Sequence, residues 1–100
     1  MDGGYSLAFL VLRTLSEKQI LILSRIGPNR NEGITSILRS LSAVSLIPLS
    51  TLKLNARKLR DLGLIDFSCG ESLRPAVLTG PGKSVFAAIR RRSPVSIGDI

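Results

Sequence analysis

Residues 50–83 read STLKLNARKLRDLGLIDFSCGESLRPAVLTGPGK, and the order of patterns inside this stretch decides the fold. Ser50 is a good N-cap residue, because its hydroxyl can accept from a free backbone N–H in the first turn of a helix. At about 100° per residue, Leu52, Ala56, Leu59 and Leu62 fall in one arc, while Thr51, Lys53, Leu54, Arg57 and Lys58 lie outside it. The pattern predicts a helix over residues 50–62 with a core face and a largely basic face. Ala56 in the middle of the core arc lets a second helix approach closely, and Gly63 supplies the C-terminal stop. Beyond it, residues 64–67 and 74–78 read as two strands joined by residues 68–73, a hairpin. Thr79 then caps a last helix, with Pro81 tolerated in its first turn and Val85, Phe86 and Ile89 on its apolar face. Arg90, Arg91 and Arg92 close that helix, where cations suit the negative end of the dipole.

Working back toward the N-terminus, Ser16-Glu17-Lys18-Gln19 is a capping box and predicts a helix start. Ile20, Leu21, Leu23 and Ile26 continue it as a core face, and Gly27-Pro28 ends it, with Gly27 expected in the left-handed cap. Residues 29–33 form a loop, and a second helix starts at Ile34 with Ile34, Ile37, Leu38 and Leu41 on one side. The pattern weakens between residues 43 and 49, where Pro48 disfavours helical geometry at Ile47, so a turn longer than that of a compact helix-turn-helix is expected. Residues 1–4 read as a flexible start. Residues 5–15 are apolar with too few polar positions to fix a period, and fit a strand or a helix. A chain this small has little room to bury Leu7, Phe9, Leu10, Val11 and Leu12 on every side, which points to a second copy and a homodimer. The organisation expected is an apolar N-terminal segment over 1–15 as a dimerisation element, one folded domain over 16–92, and a flexible tail over 93–100.

Fourteen Lys and Arg against seven Asp and Glu give the 100-residue chain a net charge of +7, a field that favours a polyanionic partner. Cys69 is the lone cysteine and histidine is absent, so no intrachain disulfide and no Cys/His zinc site can form, and a cytoplasmic location is expected. The longest apolar run, residues 7–12, is far short of the ~20 residues of a membrane span, and no basic segment precedes it to make a signal peptide. Gly82-Lys83-Ser84 imitates the end of a phosphate-binding loop, but Val77 stands where that spacing demands glycine and Pro81 removes a backbone donor. Without histidine, a general base would have to be a lysine or a carboxylate in an apolar cleft. Asp66, the one carboxylate flanked by strand hydrophobes, reads better as the exposed face of an edge strand. Cys69, with Arg74 nearby, reads as a bystander thiol. No enzyme activity, cofactor or metal is expected.

A major groove about 12 Å wide accepts one helix, and the basic face of residues 50–62 suits it. Thr51, Lys53, Leu54 and Arg57 are the groove-facing candidates. Arg57 is the base reader, because its planar fork can donate two bonds to guanine, while Lys53 and Lys58 act as point charges on phosphate. Ser50 and Thr51 offer hydroxyl or backbone N–H contacts to phosphate at the helix start. Leu54 fits a thymine methyl, a neighbouring element, or plain exposure. Arg74, near the hairpin tip, is a candidate for a minor groove or an adjacent phosphate, with Glu71 close by acting against it.

The run Ser50-Thr51-Leu52 through Lys58-Leu59-Arg60-Asp61-Leu62-Gly63-Leu64-Ile65, followed by Leu78-Thr79 and Gly82-Lys83, resembles the recognition helix, first wing strand and post-wing helix of winged helix-turn-helix regulators of the MarR, ArsR and PadR type. The resemblance covers roughly residues 16–92, and nothing in the chain resembles the metal-sensing cluster some of these regulators carry. It implies an α+β, mostly α fold: a three-helix core, a β-hairpin wing and a C-terminal helix. It also implies a dimeric transcriptional regulator whose third core helix enters the major groove through Thr51, Lys53, Leu54, Arg57 and Lys58. Two alternatives remain at this point: a general architectural DNA-binding protein using the same surface without base readout, and a winged-helix interaction module of a larger assembly working through its apolar N-terminal segment.

Overall fold

The computed structural model describes residues 3–29, 31–68 and 74–92, and among these the chain is mostly helical with one small antiparallel sheet. The order is α1 (Gly3–Thr14), α2 (Glu17–Ile26), α3 (Ile34–Ser45), α4 (Leu49–Asp61), β1 (Ile65–Asp66), β2 (Val77–Leu78) and α5 (Gly80–Arg92). The N-terminal segment is therefore a helix. Gly3 and Gly4 belong to it rather than to a flexible start, while Met1 and Asp2 lie outside the described residues. Ala8, Leu12 and Leu15, spaced as one helical face and its continuation, are buried, and α1 packs chiefly along α5. Much of the apolar segment is thus satisfied within the chain, while Leu7 and Leu10 on its outer side are exposed.

The capping box at the start of α2 is fully formed: the Gln19 N–H donates to Ser16 Oγ at 3.3 Å, and the Ser16 N–H donates to Gln19 Oε1 at 3.0 Å. The helix buries Ile22, Leu23 and Ile26, whereas Ile20 and Leu21 are only half-buried, so its core face is rotated toward Ile22 relative to the expected one. Gly27 ends the helix in right-handed geometry (φ −49°, ψ −54°), not in the left-handed cap. Its role is steric, since a Cβ added there would fall 2.7 Å from Cδ1 of the Phe86 ring of α5 and nearer still to other ring atoms, a collision.

Ile34, Ile37, Leu38 and Leu41 of α3 are all buried, as their spacing requires. The helix terminates at Leu46, which takes the left-handed conformation (φ 64°) and donates its N–H to the Ser42 carbonyl at 2.9 Å. The turn into α4 is three residues, 46–48, and so is compact rather than long. Ser42 Oγ closes it by donating to the Ile47 carbonyl at 2.6 Å. Ser50 is not the N-cap of α4. Pro48 is, with an extended backbone (φ −57°, ψ 140°) and its carbonyl accepting from the N–H groups of Thr51 and Leu52. Proline holds the required φ without needing a donor, so the helix starts one residue before Ser50.

At the other end of α4, Gly63 has φ +80°, a region that disfavours any side chain, and two bonds complete the cap. Leu64 N–H donates to the Leu59 carbonyl at 3.0 Å and Gly63 N–H to the Arg60 carbonyl at 2.9 Å. The helix stops at Asp61, and Leu62 leaves the core arc with 58% of its surface exposed, in contrast to its expected burial. The hairpin pairs Ile65 with Leu78 and Asp66 with Val77, a shorter ladder than residues 64–67 and 74–78. One reason is that Ala76 N–H donates instead to the Glu32 carbonyl at 3.0 Å, in the loop between α2 and α3. Asn29 locks that junction by donating from Nδ2 to the carbonyls of Glu32 (2.9 Å) and Ala76 (2.8 Å) while accepting from Glu32 N–H (3.1 Å).

Thr79 caps α5, its Oγ1 accepting from Gly82 N–H at 3.0 Å and its carbonyl from Lys83 N–H at 2.8 Å. Val85 and Ala88 are buried, with Phe86 and Ile89 partly so. Leu12, Leu23, Leu52, Leu59 and Val85, from four different helices, meet in one core. Fully burying such a side chain contributes about 1.5–3 kcal/mol, before the conformational entropy that offsets most of it.

Candidate nucleic-acid interface

The position of α4 follows from its two faces. Leu52 and Leu59 are fully shielded and Ala56 is 1% exposed, and together they form the seam that packs against α2 and α3. On the opposite side Ser50, Lys53, Leu54, Arg57 and Lys58 are exposed, while Thr51 is half-buried at the flank. Leu54, at 53% exposed, is an apolar residue on an otherwise polar face. Asp61 shares that face at its C-terminal end, a carboxylate the sequence reading did not weigh.

Lys53 and Arg57 stand four residues apart and both border a cleft of about 190 Å³ between α3 and α4, which Thr35 and the buried Phe67 also line. Like charges at this spacing are mildly unfavourable, by a few tenths of a kcal/mol. Among the described residues no hydrogen bond or ion pair engages Lys53, Arg57 or Lys58. Among the described residues none of these three cations is paired, an arrangement suited to an external polyanion. Arg60, on the flank of the same helix, instead lies over the Phe67 ring with its guanidinium carbon 4.6 Å from the centroid.

Arg74 is exposed on the second arm of the hairpin and donates from Nε to Ser68 Oγ at 2.9 Å, tying the two arms together. Part of its hydrogen-bonding capacity is used inside the protein. Cys69 and Glu71 lie outside the described residues. On α5, Arg90 lies over the Phe86 ring at 5.8 Å, the ring that also covers Gly27.

Several features escaped the sequence reading. Asn55, between the two faces of α4, accepts from Gln19 Nε2 at 3.2 Å and donates to the Thr51 carbonyl at 2.8 Å. An S/T-x-x-Q box signals the helix start but gives no hint that the same glutamine also reaches another helix. Leu46 and Val44, 87% and 75% exposed, form an apolar corner beside the turn. On α1, Leu7 (61%) and Leu10 (57%) form the uncovered stripe, with Val11 half-buried beside them.

The remaining features are of the backbone and the acidic groups. The Gly82 N–H, which a phosphate cradle would need, is committed to Thr79. Asp66 is exposed on β1. Among the described residues no three His, Cys, Asp or Glu side chains gather as a metal site, and no helix is long and apolar enough to cross a membrane. No known family model matches the chain, and no curated protein or solved structure matches it either.

Proposed function

We propose that this chain is a winged helix-turn-helix protein that binds duplex DNA and regulates transcription in the cytoplasm, inserting α4 into the major groove. The observation that carries the reading is the outward face of α4, where Lys53, Arg57 and Lys58 are exposed and unengaged among the described residues. Its setting supports the reading: a three-residue turn precedes α4, a hairpin follows it, and the bond from Ala76 N–H to the Glu32 carbonyl ties that hairpin to the loop before α3. Arg57 reads a base, Lys53 and Lys58 hold phosphates, Ser50 and Thr51 approach the backbone at the helix start, Leu54 meets an apolar group in the groove, and Arg74 approaches from the hairpin. A second copy docks on Leu7 and Leu10 of α1, so that two α4 helices address two half-sites.

Fluorescence anisotropy of labelled random-sequence duplex across a salt series tests this. Phosphate contacts from Lys53 and Lys58, with Arg74 as a third, predict a log–log slope of about −2 to −3 for each chain bound. Absence of binding at low salt, or binding indifferent to salt, would remove the reading. One observation favours the architectural alternative: Arg57 is the single guanidinium on the outward face of α4, and lysines act as point charges that do not discriminate bases. Selection from a random pool decides between them, because an architectural protein enriches no sequence.

A further inference from the structure

The seam beneath α4 is aliphatic, made by Leu52, Ala56 and Leu59. Apolar burial depends on area and has no direction, so it holds α4 against the body without strongly fixing its rotation about its own axis. A hydrogen bond is different, since it fails beyond about 3.5 Å or below about 120°. At the edge of this seam the Gln19 side chain is held from behind, because its Oε1 already accepts from Ser16 N–H at 3.0 Å in the capping box. That leaves Nε2 aimed at Asn55 Oδ1, 3.2 Å away, and Asn55 is braced in turn by its bond to the Thr51 carbonyl at 2.8 Å. The start of α2, a rigid capped turn, is thereby connected to the middle of α4 by a directional, half-buried bridge.

We infer that Gln19 and Asn55 are positioning residues that set the rotation of α4, and thereby the base selectivity of its outward face, without touching DNA themselves. The inference rests on the DNA-binding reading given above. Rotating a helix by about 15° moves atoms about 6 Å from its axis by about 1.5 Å, enough to break a bidentate contact from Arg57 to a base edge. A lysine on a phosphate tolerates the same shift, because its attraction is that of a point charge. Loss of the bridge therefore affects selectivity far more than overall affinity, a use of a half-buried polar pair that matches the register-fixing role of single polar residues in helical seams.

Two variants test the inference. Asn55→Leu keeps the branched shape of the side chain and removes the bridge. Gln19→Glu keeps the capping box but sets a carboxylate oxygen against Asn55 Oδ1, which breaks the bridge from its other end while Asn55 stays bonded to the Thr51 carbonyl. With Asn55→Leu, affinity for random duplex should stay within about twofold and the thermal midpoint should hold, while preference for a selected duplex over random duplex falls about tenfold. Gln19→Glu, which removes the donor and keeps the capping box, should lower that preference in the same way. Unchanged preference in Asn55→Leu overturns the inference, and so does a parallel fall of preference, random-duplex affinity and thermal midpoint, which marks a merely structural role. If the unmodified protein binds no duplex at low salt, the DNA reading itself has failed. The bridge is then judged on the free protein by residual dipolar couplings of the α4 amides: a reorientation of α4 against α2 in Asn55→Leu supports it, and unchanged couplings overturn it.

Discussion

Helices α1 and α4 are built alike on the inside and differently on the outside. Each buries a row of small and branched apolar side chains, Ala8 and Leu12 for α1, Leu52, Ala56 and Leu59 for α4. The outer face of α4 carries Lys53, Arg57 and Lys58, whereas that of α1 carries Leu7 and Leu10, and no charged residue occurs between Gly3 and Leu12. The contrast teaches that one small core can present two unlike surfaces. On the proposed reading, a molecule of net charge +7 meets a second copy on the uncharged outer stripe of Leu7 and Leu10, away from Arg13 at the end of α1, and turns its cationic helix to a polyanion.

The comparison is broken most directly from the inside. Leu59→Ala and Leu12→Ala each remove a fully buried side chain and should each destabilise the fold by about 2–5 kcal/mol, read from urea or thermal unfolding. Similar losses would establish α1 as part of the same cooperative core. A loss for Leu59→Ala alone would make α1 a separable element. Next in size, Arg57→Ala should weaken binding to a preferred duplex by about 1–3 kcal/mol and relax one base position, with stability unchanged. Equal weakening on every sequence would reduce Arg57 to a phosphate contact.

Replacing Leu7 and Leu10 together with Ser should leave stability nearly intact, because both side chains are already more than half exposed, and should shift sedimentation equilibrium toward monomer. An unaltered mass would move self-association elsewhere. The smallest effect is expected at the entrance to α4. Leu46→Gly relieves a left-handed side chain, an arrangement costing about 1–2 kcal/mol, and restores backbone freedom to the unfolded chain, for a net stabilisation of about 0.5 kcal/mol. Since Leu46 is 87% exposed, little packing is lost, and a destabilised variant would mean that this leucine makes a contact in a dimer.

Which features the sequence disclosed follows from the range of the forces involved. The capping box at Ser16 and the stop at Gly63 depend on residues within one turn, and both formed as their local chemistry requires. The apolar spacing of Ile34, Ile37, Leu38 and Leu41 likewise sufficed for α3. Gly27 and Leu46 show where local reasoning stops. Glycine at Gly27 looked like a backbone requirement but answers to Phe86, distant in the chain, and the left-handed residue that ends α3 is a leucine no local rule selects.

For the candidate site, the amphipathic pattern separated the exposed Lys53, Leu54, Arg57 and Lys58 from the seam of Leu52, Ala56 and Leu59. It misassigned Leu62, because Gly63 turns the chain before that arc can be completed. The bond from Arg74 to Ser68 and the bridge from Gln19 to Asn55 were invisible, since a side-chain amide or guanidinium gives no sequence signal of which distant partner it meets.

By itself, then, the sequence determined the positive field, most of the helical pattern, the two principal helix-end motifs and the two-faced character of α4, because these arise from composition and from neighbours within a few residues. Only the tertiary structure decided that residues 3–14 are helical and lie along α5, that the turn into α4 is three residues long, and that Asn29 joins the hairpin to the loop before α3. Those outcomes depend on which surfaces meet once the chain has closed. Apolar burial is blind to direction, so the partners are chosen by shape and by a few directional hydrogen bonds that exist only after folding.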